Sequence, residues 1–158
     1  MEEEFLSYVK DILDDVDFLK LKAYRHHYNT SRYQHCVNAA YACFLWAKKC
    51  KKIHLREISR AALLHDFFLY DWRECDYKKD LGILQGFHAF YHPFIALEEA
   101  EKRFKLCELE KDIIKSHMFP CYFGIPKYKE SWMLIMVDKY CSLQEGLFRK
   151  NFCSEYVF

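Results

Sequence analysis

The chain has 158 residues, a length that predicts a single domain over residues 1–158. Hydrophobic residues make up 52% and aromatic residues 18%, a composition that argues against disorder and allows a substantial core. The formal net charge of +1 gives no electrostatic reason to expect a nucleic-acid polymer as partner.

The hydrophobic spacing predicts an all-α protein, a helical bundle of about six to seven helices. In chain order, the predicted helices cover 2–14, 16–24, about 30–50, 55–66, 93–104, 108–118 and 129–149. Residues 67–90 and 121–128 are predicted loops, since they contain three of the four glycines. Pro93 is expected in the first turn of its helix, with His92 at the N-cap.

The eight cysteines do not follow a disulfide or structural-zinc pattern, because no C-x-x-C pair occurs. Cys36, Cys43 and Cys50 recur every seven residues, as small apolar groups along one side of a helix would. The chain opens with the acidic segment Glu2–Glu4 where a signal peptide would be basic, and no apolar run could span a membrane. We therefore expect a cytoplasmic, reduced protein without a membrane partner.

Several histidines and aspartates interrupt helix faces that are otherwise apolar. His65 follows Ala61 and Ala62 by one turn on the buried side of its helix, and Asp66 comes next. Buried polar groups without partners are costly, so these side chains need hydrogen bonds or a metal ion. The residues at such positions, on five predicted helices, are His35, His65, Asp66, His92, His117 and Asp138.

Two interpretations of this set are open. A single inward histidine is usually a hydrogen-bonded core residue, and an inward aspartate can cap a helix or pair with an arginine. Four histidines and two aspartates together favour a shared metal centre, whose nitrogen and oxygen donors suit manganese, iron, nickel or zinc. His26 and His27, in a polar stretch, are predicted to lie at the surface.

The order His35, then His65-Asp66, then Asp138 resembles the HD-domain superfamily of metal-dependent phosphohydrolases, whose pattern is H…HD…D. The resemblance covers residues 35–138 and extends to the helical setting of each part. It implies an HD-type fold in which these four side chains bind a first metal ion.

His92 and His117 lie between the HD pair and the last aspartate, as in the superfamily branch with the pattern H…HD…H…H…D. In that branch, which includes hydrolases of dinucleoside tetraphosphates and of cyclic dinucleotides, the two extra histidines help to bind a second metal. The resemblance implies that Asp66 bridges the two ions.

The implied function is hydrolysis of a phosphate ester or anhydride of a nucleotide or other small phosphorylated metabolite. One or two divalent ions (Mn, Fe, Ni or Zn) would supply a metal-activated hydroxide, with His65 and Asp66 as the catalytic residues. Many members carry a lysine shortly after the HD pair, where this chain has Phe67–Tyr70. Candidate substrate-binding residues are Arg32, Arg73, His88 and Lys139.

Two other functions fit the same ligand set. Some HD-fold proteins, such as myo-inositol oxygenase, hold two irons and oxidise carbon with O2. A metal- and nucleotide-binding sensor without turnover is the third hypothesis, and the missing lysine is its support. A homodimer is compatible with each of them.

Overall fold

The computed structural model describes residues 1–26, 30–71, 88–121 and 124–148, without the side chains of residues 88, 89, 147 and 148. Within these ranges the chain forms seven α-helices and no strand, which confirms the all-α prediction. None of the described helices is both long and apolar enough to cross a membrane. The helices are α1 (Glu2–Leu13), α2 (Val16–Leu19), α3 (Arg32–Lys49), α4 (Leu55–Leu64), α5 (His88–Glu101), α6 (Glu108–Ser116) and α7 (Lys129–Leu143).

The long helix α3 packs against α4 and α7. Its start is fixed by Ser31, whose Oγ accepts a hydrogen bond from the main-chain N–H of Gln34 at 3.1 Å. Cys36 and Cys43 are buried free thiols, and burial raises the pKa of both well above its ordinary value. They therefore act as small apolar groups in the core.

Helices α4 and α6 lie side by side, and α6 also contacts α5 and α7. Helix α1 covers α4 with the fully buried side chains of Phe5, Val9 and Ile12. Helix α7 continues into a π-helical turn, Gln144–Phe148. This packing brings the ends of α4 and α6 next to the first half of α3 and the last half of α7.

Helix α5 differs from its prediction. It begins at His88, so Pro93 lies inside the helix and His92 is not its N-cap. Proline in a helix removes one main-chain hydrogen bond, but packing can outweigh this local preference. Here α5 packs on α6 with Ala96 and Ala100 fully buried, and the earlier start carries His92 into a buried position.

Candidate metal centre

The six side chains predicted to bind metal come together where α3, α4, α5, α6 and α7 meet. All six are buried, with at most 8% of any residue exposed. They are His35, His65, Asp66, His92, His117 and Asp138. Among the described residues, three His/Asp groups have ligand atoms within 4.8 Å of one another, close enough to hold a metal ion.

His65 and His117 end two neighbouring helices in the same way. Each is the C-cap residue of its helix, α4 or α6, and its Nδ1–H donates to the carbonyl oxygen three residues earlier. The acceptors are Ala62 and Ile114, both at 2.7 Å. Because a carbonyl only accepts, these bonds fix the hydrogen on Nδ1 and leave Nε2 to face the cluster. The partial negative charge of two helix C-termini also favours a cation there.

The Nε2 atom of His65 is buried and makes no hydrogen bond with any residue that the structure describes. It lies 3.6 Å from Asp138 Oδ1 and 3.9 Å from Asp66 Oδ2, two atoms that can only accept. Burial lowers the pKa of His65, but the charges of these two carboxylates outweigh it and raise that pKa. A proton or a cation is therefore needed between Nε2 and the carboxylates.

The carboxylate of Asp66 lies between two sets of histidine nitrogens. Its Oδ1 is 3.2 Å from Nε2 of His92 and 3.7 Å from Nε2 of His117. Its Oδ2 is 3.7 Å from Nδ1 of His26 and 3.9 Å from Nε2 of His65. Burial would raise the pKa of Asp66, but the nearby histidines, His65 and His92 first, hold it well below its ordinary value.

His35 has a carboxylate at each ring nitrogen. Its Nε2 lies 3.0 Å from Asp138 Oδ1, and its Nδ1 lies 3.0 Å from Glu145 Oε2. Burial lowers the pKa of His35, but these two hydrogen bonds outweigh burial and raise it to about 10. Asn38 donates from Nδ2 to the other oxygen of Glu145 at 2.8 Å.

His92 and His117 face each other with their Nε2 atoms 2.8 Å apart. Burial lowers the pKa of His117 to about 3, and the charges of His92 and His65 add to this. In the metal-free chain His117 is therefore neutral, with the lone pair of Nε2 directed at its partner.

Two members of the cluster were not found from the sequence. His26, predicted at the surface, has only 16% of its side chain exposed and stacks on His35 with ring centroids 3.8 Å apart, so that prediction is wrong. His27, predicted with it, lies outside the described residues. An antiparallel bridge between Arg25 and Ser31 places His26 beside the start of α3, and the sequence carries no periodic signal for it. Glu145 could have been found from the sequence, since it comes seven residues after Asp138 and a spacing of seven puts both residues on the same helical face.

Two of the predicted substrate-binding residues, Arg32 and Lys139, lie in the described part of the chain and differ in burial. Arg32 is fully buried, and its guanidinium donates to the carbonyl oxygens of Phe68 (2.6 Å) and Tyr70 (3.2 Å). Lys139 is exposed, and its Nζ donates to the carbonyl oxygen of Phe119 at 3.3 Å.

Arg73 and the side chain of His88 lie outside the described residues. A role in substrate binding stays a prediction for Arg32, Arg73, His88 and Lys139.

The chain matches no protein-family model, no curated protein and no solved structure. The resemblance to the HD-domain superfamily therefore rests on the order of the histidines and aspartates in the sequence, and it stays a prediction. The class of protein that the fold and the site define is an all-α protein with a buried His/Asp cluster able to hold metal ions.

The cluster fits a divalent transition-metal ion. Its donors are imidazole nitrogens and carboxylate oxygens, the set that manganese, iron, nickel and zinc accept. The buried Nε2 of His65, which has no hydrogen bond with any described residue, is the atom that a metal ion would satisfy. The other ring nitrogen of His65 and of His117 already bonds to main chain, as is usual for histidine ligands.

Proposed function

We propose that this protein is a metal-dependent phosphohydrolase that holds two divalent cations and cleaves a phosphate ester or anhydride. The substrate would be a nucleotide or another small phosphorylated metabolite. The observation that supports two cations is the position of Asp66, whose two oxygens face different sets of histidine nitrogens.

In this proposal the residues divide into two sets that share Asp66. His35, His65 and Asp138 hold the first cation together with one oxygen of Asp66. The other oxygen turns toward His92 and His117, which complete the second set.

The bound cations would lower the pKa of a water molecule and stabilise negative charge on the phosphoryl oxygens. The chain itself contributes orientation, because the carbonyl oxygens of Ala62 and Ile114 hold the rings of His65 and His117 in place. Hydrolysis adds the elements of water across one P–O bond, so neither an oxidant nor a reductant is required.

The experiment begins with elemental analysis of protein purified without chelator and without a metal-affinity tag. Phosphate release is then measured, with Mn²⁺, Fe²⁺, Ni²⁺ or Zn²⁺, on nucleotides, dinucleoside polyphosphates, cyclic nucleotides and sugar phosphates. We expect about two metal ions per chain and turnover of at least one class. The turnover should fall at least about 100-fold in Asp66→Asn, since that variant lacks the shared carboxylate.

The matched control is Asp112→Asn on α6. Asp112 accepts hydrogen bonds from the main-chain N–H of Lys127 and from Ser131, and it is not part of the cluster. This variant should keep both the metal and the activity. Two bound irons with O2-dependent turnover would show that the protein is an oxygenase and not a hydrolase. Binding of metal and nucleotide without any product would show that it is a sensor.

A further inference from the structure

Glu145 is a buried carboxylate in the π-helical turn that follows α7, and only 2% of it is exposed. We propose that it is a positioning residue that orients His35 as a metal ligand. This inference rests on the proposed two-cation centre. The inference concerns only the cation held by His35. It predicts that Glu145 affects the binding of that cation and not the binding of the second one.

The contact with His35 fixes which ring nitrogen faces the cluster. Glu145 Oε2 lies 3.0 Å from Nδ1, and an ionised carboxylate can only accept a hydrogen bond. Nδ1 therefore carries a hydrogen, and Nε2 is presented on the opposite side, 3.0 Å from Asp138. A metal-binding histidine commonly has a carboxylate at its other nitrogen, which sets the ring orientation and makes the ligand more basic.

The carboxylate of Glu145 is itself held in place. Its Oε1 accepts a hydrogen bond from Nδ2 of Asn38 at 2.8 Å, and Asn38 Oδ1 accepts one from Nε2 of Gln34 at 3.0 Å. Asn38 lies one turn after His35 on α3 and is fully buried. Both oxygens of Glu145 are therefore used by α3, the helix that carries the ligand.

The place of Glu145 in the chain agrees with this role. Asp138, a predicted ligand, and Glu145 are seven residues apart, about two helical turns. The second half of α7 therefore supplies a predicted ligand, and the π-helical turn after it supplies the partner of another predicted ligand.

The effect should be confined to one cation. His65 and His117 have main-chain carbonyl oxygens as partners, whereas His35 has a carboxylate. Loss of the Glu145 charge should therefore weaken the cation at His35 and leave the cation at His92 and His117 unchanged.

The test is a titration of the metal-stripped 158-residue chain with Mn²⁺, in which electron paramagnetic resonance measures the free ion. For wild type we expect two binding events. Glu145→Gln should weaken one of them by roughly 10- to 100-fold, the usual effect of removing such a partner. His92→Ala should weaken the other event, which assigns the two.

Glu130→Gln is the matched control. Glu130 is also a buried glutamate bonded to a histidine, with Oε1 2.9 Å from Nδ1 of His54. It lies eight residues before Asp138, about 12 Å away along α7. The substitution and the lost contact are the same, but both Mn²⁺ affinities should stay at their wild-type values.

Three results would overturn the inference. Glu145→Gln with the same affinities as Glu130→Gln would show that Glu145 does not act on the ligand, while the two-cation centre would stand. Equal weakening of both events would indicate general loosening of the fold. If the wild-type protein binds none of Mn²⁺, Fe²⁺, Ni²⁺ and Zn²⁺, both the proposed two-cation centre and this inference are wrong.

A second variant covers the case in which Glu145→Gln does not fold. Asn38→Ala keeps the carboxylate and removes only the hydrogen bond that orients it. This variant should lower the Mn²⁺ affinity of the binding event assigned to His35 several-fold and leave the affinity of the other event unchanged. If both affinities stay at their wild-type values in the folded variant, the inference is wrong.

Discussion

The Nε2 atoms of His92 and His117 lie 2.8 Å apart, and Asp66 Oδ1 is within 3.7 Å of both. The Nδ1–H of His117 is already donated to Ile114, so the Nε2 atom of His117 offers a lone pair. Two nitrogens and one oxygen, from α5 and from the residues that follow α4 and α6, thus converge on one point, where a hydrogen or a cation can join them.

Replacing either histidine should remove one cation. We expect His92→Ala and His117→Ala each to reduce the metal content from about two ions to about one per chain, because the other set keeps its ligands. Elemental analysis of folded protein gives the count. His54→Ala is the control, since His54 is largely exposed and pairs with Glu130. Two ions per chain in both cluster variants would place the second cation elsewhere.

Without the carboxylate of Asp66, added metal should no longer stabilise the folded protein. A ligand that binds only the folded state stabilises it by about 2.7 kcal/mol at 100 times its Kd. We expect added Mn²⁺ to raise the Tm of wild type and of Asp112→Asn, but not that of Asp66→Asn, measured by calorimetry. An equal rise in Asp66→Asn would show that Asp66 does not contribute to the site.

Much of the fold could be predicted because most of its signals are local. The apolar spacing of α1 and the Ser31 cap of α3 both act within a few residues. The start of α5 could not be predicted in this way. Pro93 is a strong local signal for a helix start, and only the packing of α5 on α6 overrides it.

The six predicted ligands could be chosen because a charged or imidazole side chain on an apolar face stands out in sequence. His26 could not be chosen in this way, since it lies in a polar stretch and is placed against His35 by the bridge between Arg25 and Ser31. For Arg32, the sequence position one turn before His35 predicts contact with substrate, and that role stays a prediction. Its buried hydrogen bonds to the carbonyl oxygens of Phe68 and Tyr70 could not be predicted, because they depend on how the chain after α4 packs against α3.

Arg32 should be a major contributor to stability. Its guanidinium lies 3.5 Å from the ring centroid of Phe68 and donates to the carbonyl oxygens of Phe68 and Tyr70. Arg32→Lys keeps the charge but loses the planar fork, so we expect the free energy of unfolding to fall by about 2–3 kcal/mol in urea titrations.

Lys139→Gln serves as the comparison, because the exposed Lys139 should change stability by less than about 0.5 kcal/mol. Should Arg32→Lys instead keep wild-type stability and raise only the KM for a phosphorylated substrate, the guanidinium would belong to substrate binding.

His26 should assist the cation on the Oδ2 side of Asp66. Its Nδ1 lies 3.7 Å from that oxygen, and His26, His35 and Asp66 form one of the groups that could hold a metal ion. We expect His26→Ala to weaken the Mn²⁺ event assigned to His35 by about tenfold, equivalent to ~1.4 kcal/mol. Urea unfolding of the metal-free variant checks that the fold is kept. Wild-type affinity at that event would exclude His26 as a ligand.

The Glu130–His54 contact predicts how stability depends on pH away from the centre. Burial would raise the pKa of Glu130, but hydrogen bonds from His54 outweigh it and lower that pKa below its ordinary value of 4.5. A lowered pKa in the folded state adds stability above pH 4.5, and this stability is lost as the pH falls through the folded value.

Wild type should therefore lose stability below pH 4.5 more steeply than Glu130→Gln, whose side chain does not titrate. At pH 7 the variant should be less stable by about 1–2 kcal/mol, and the difference should shrink toward pH 3. Urea titrations of both proteins from pH 7 to pH 3 measure this. A difference that stays constant across the range would mean that the ionisation of Glu130 does not contribute to stability.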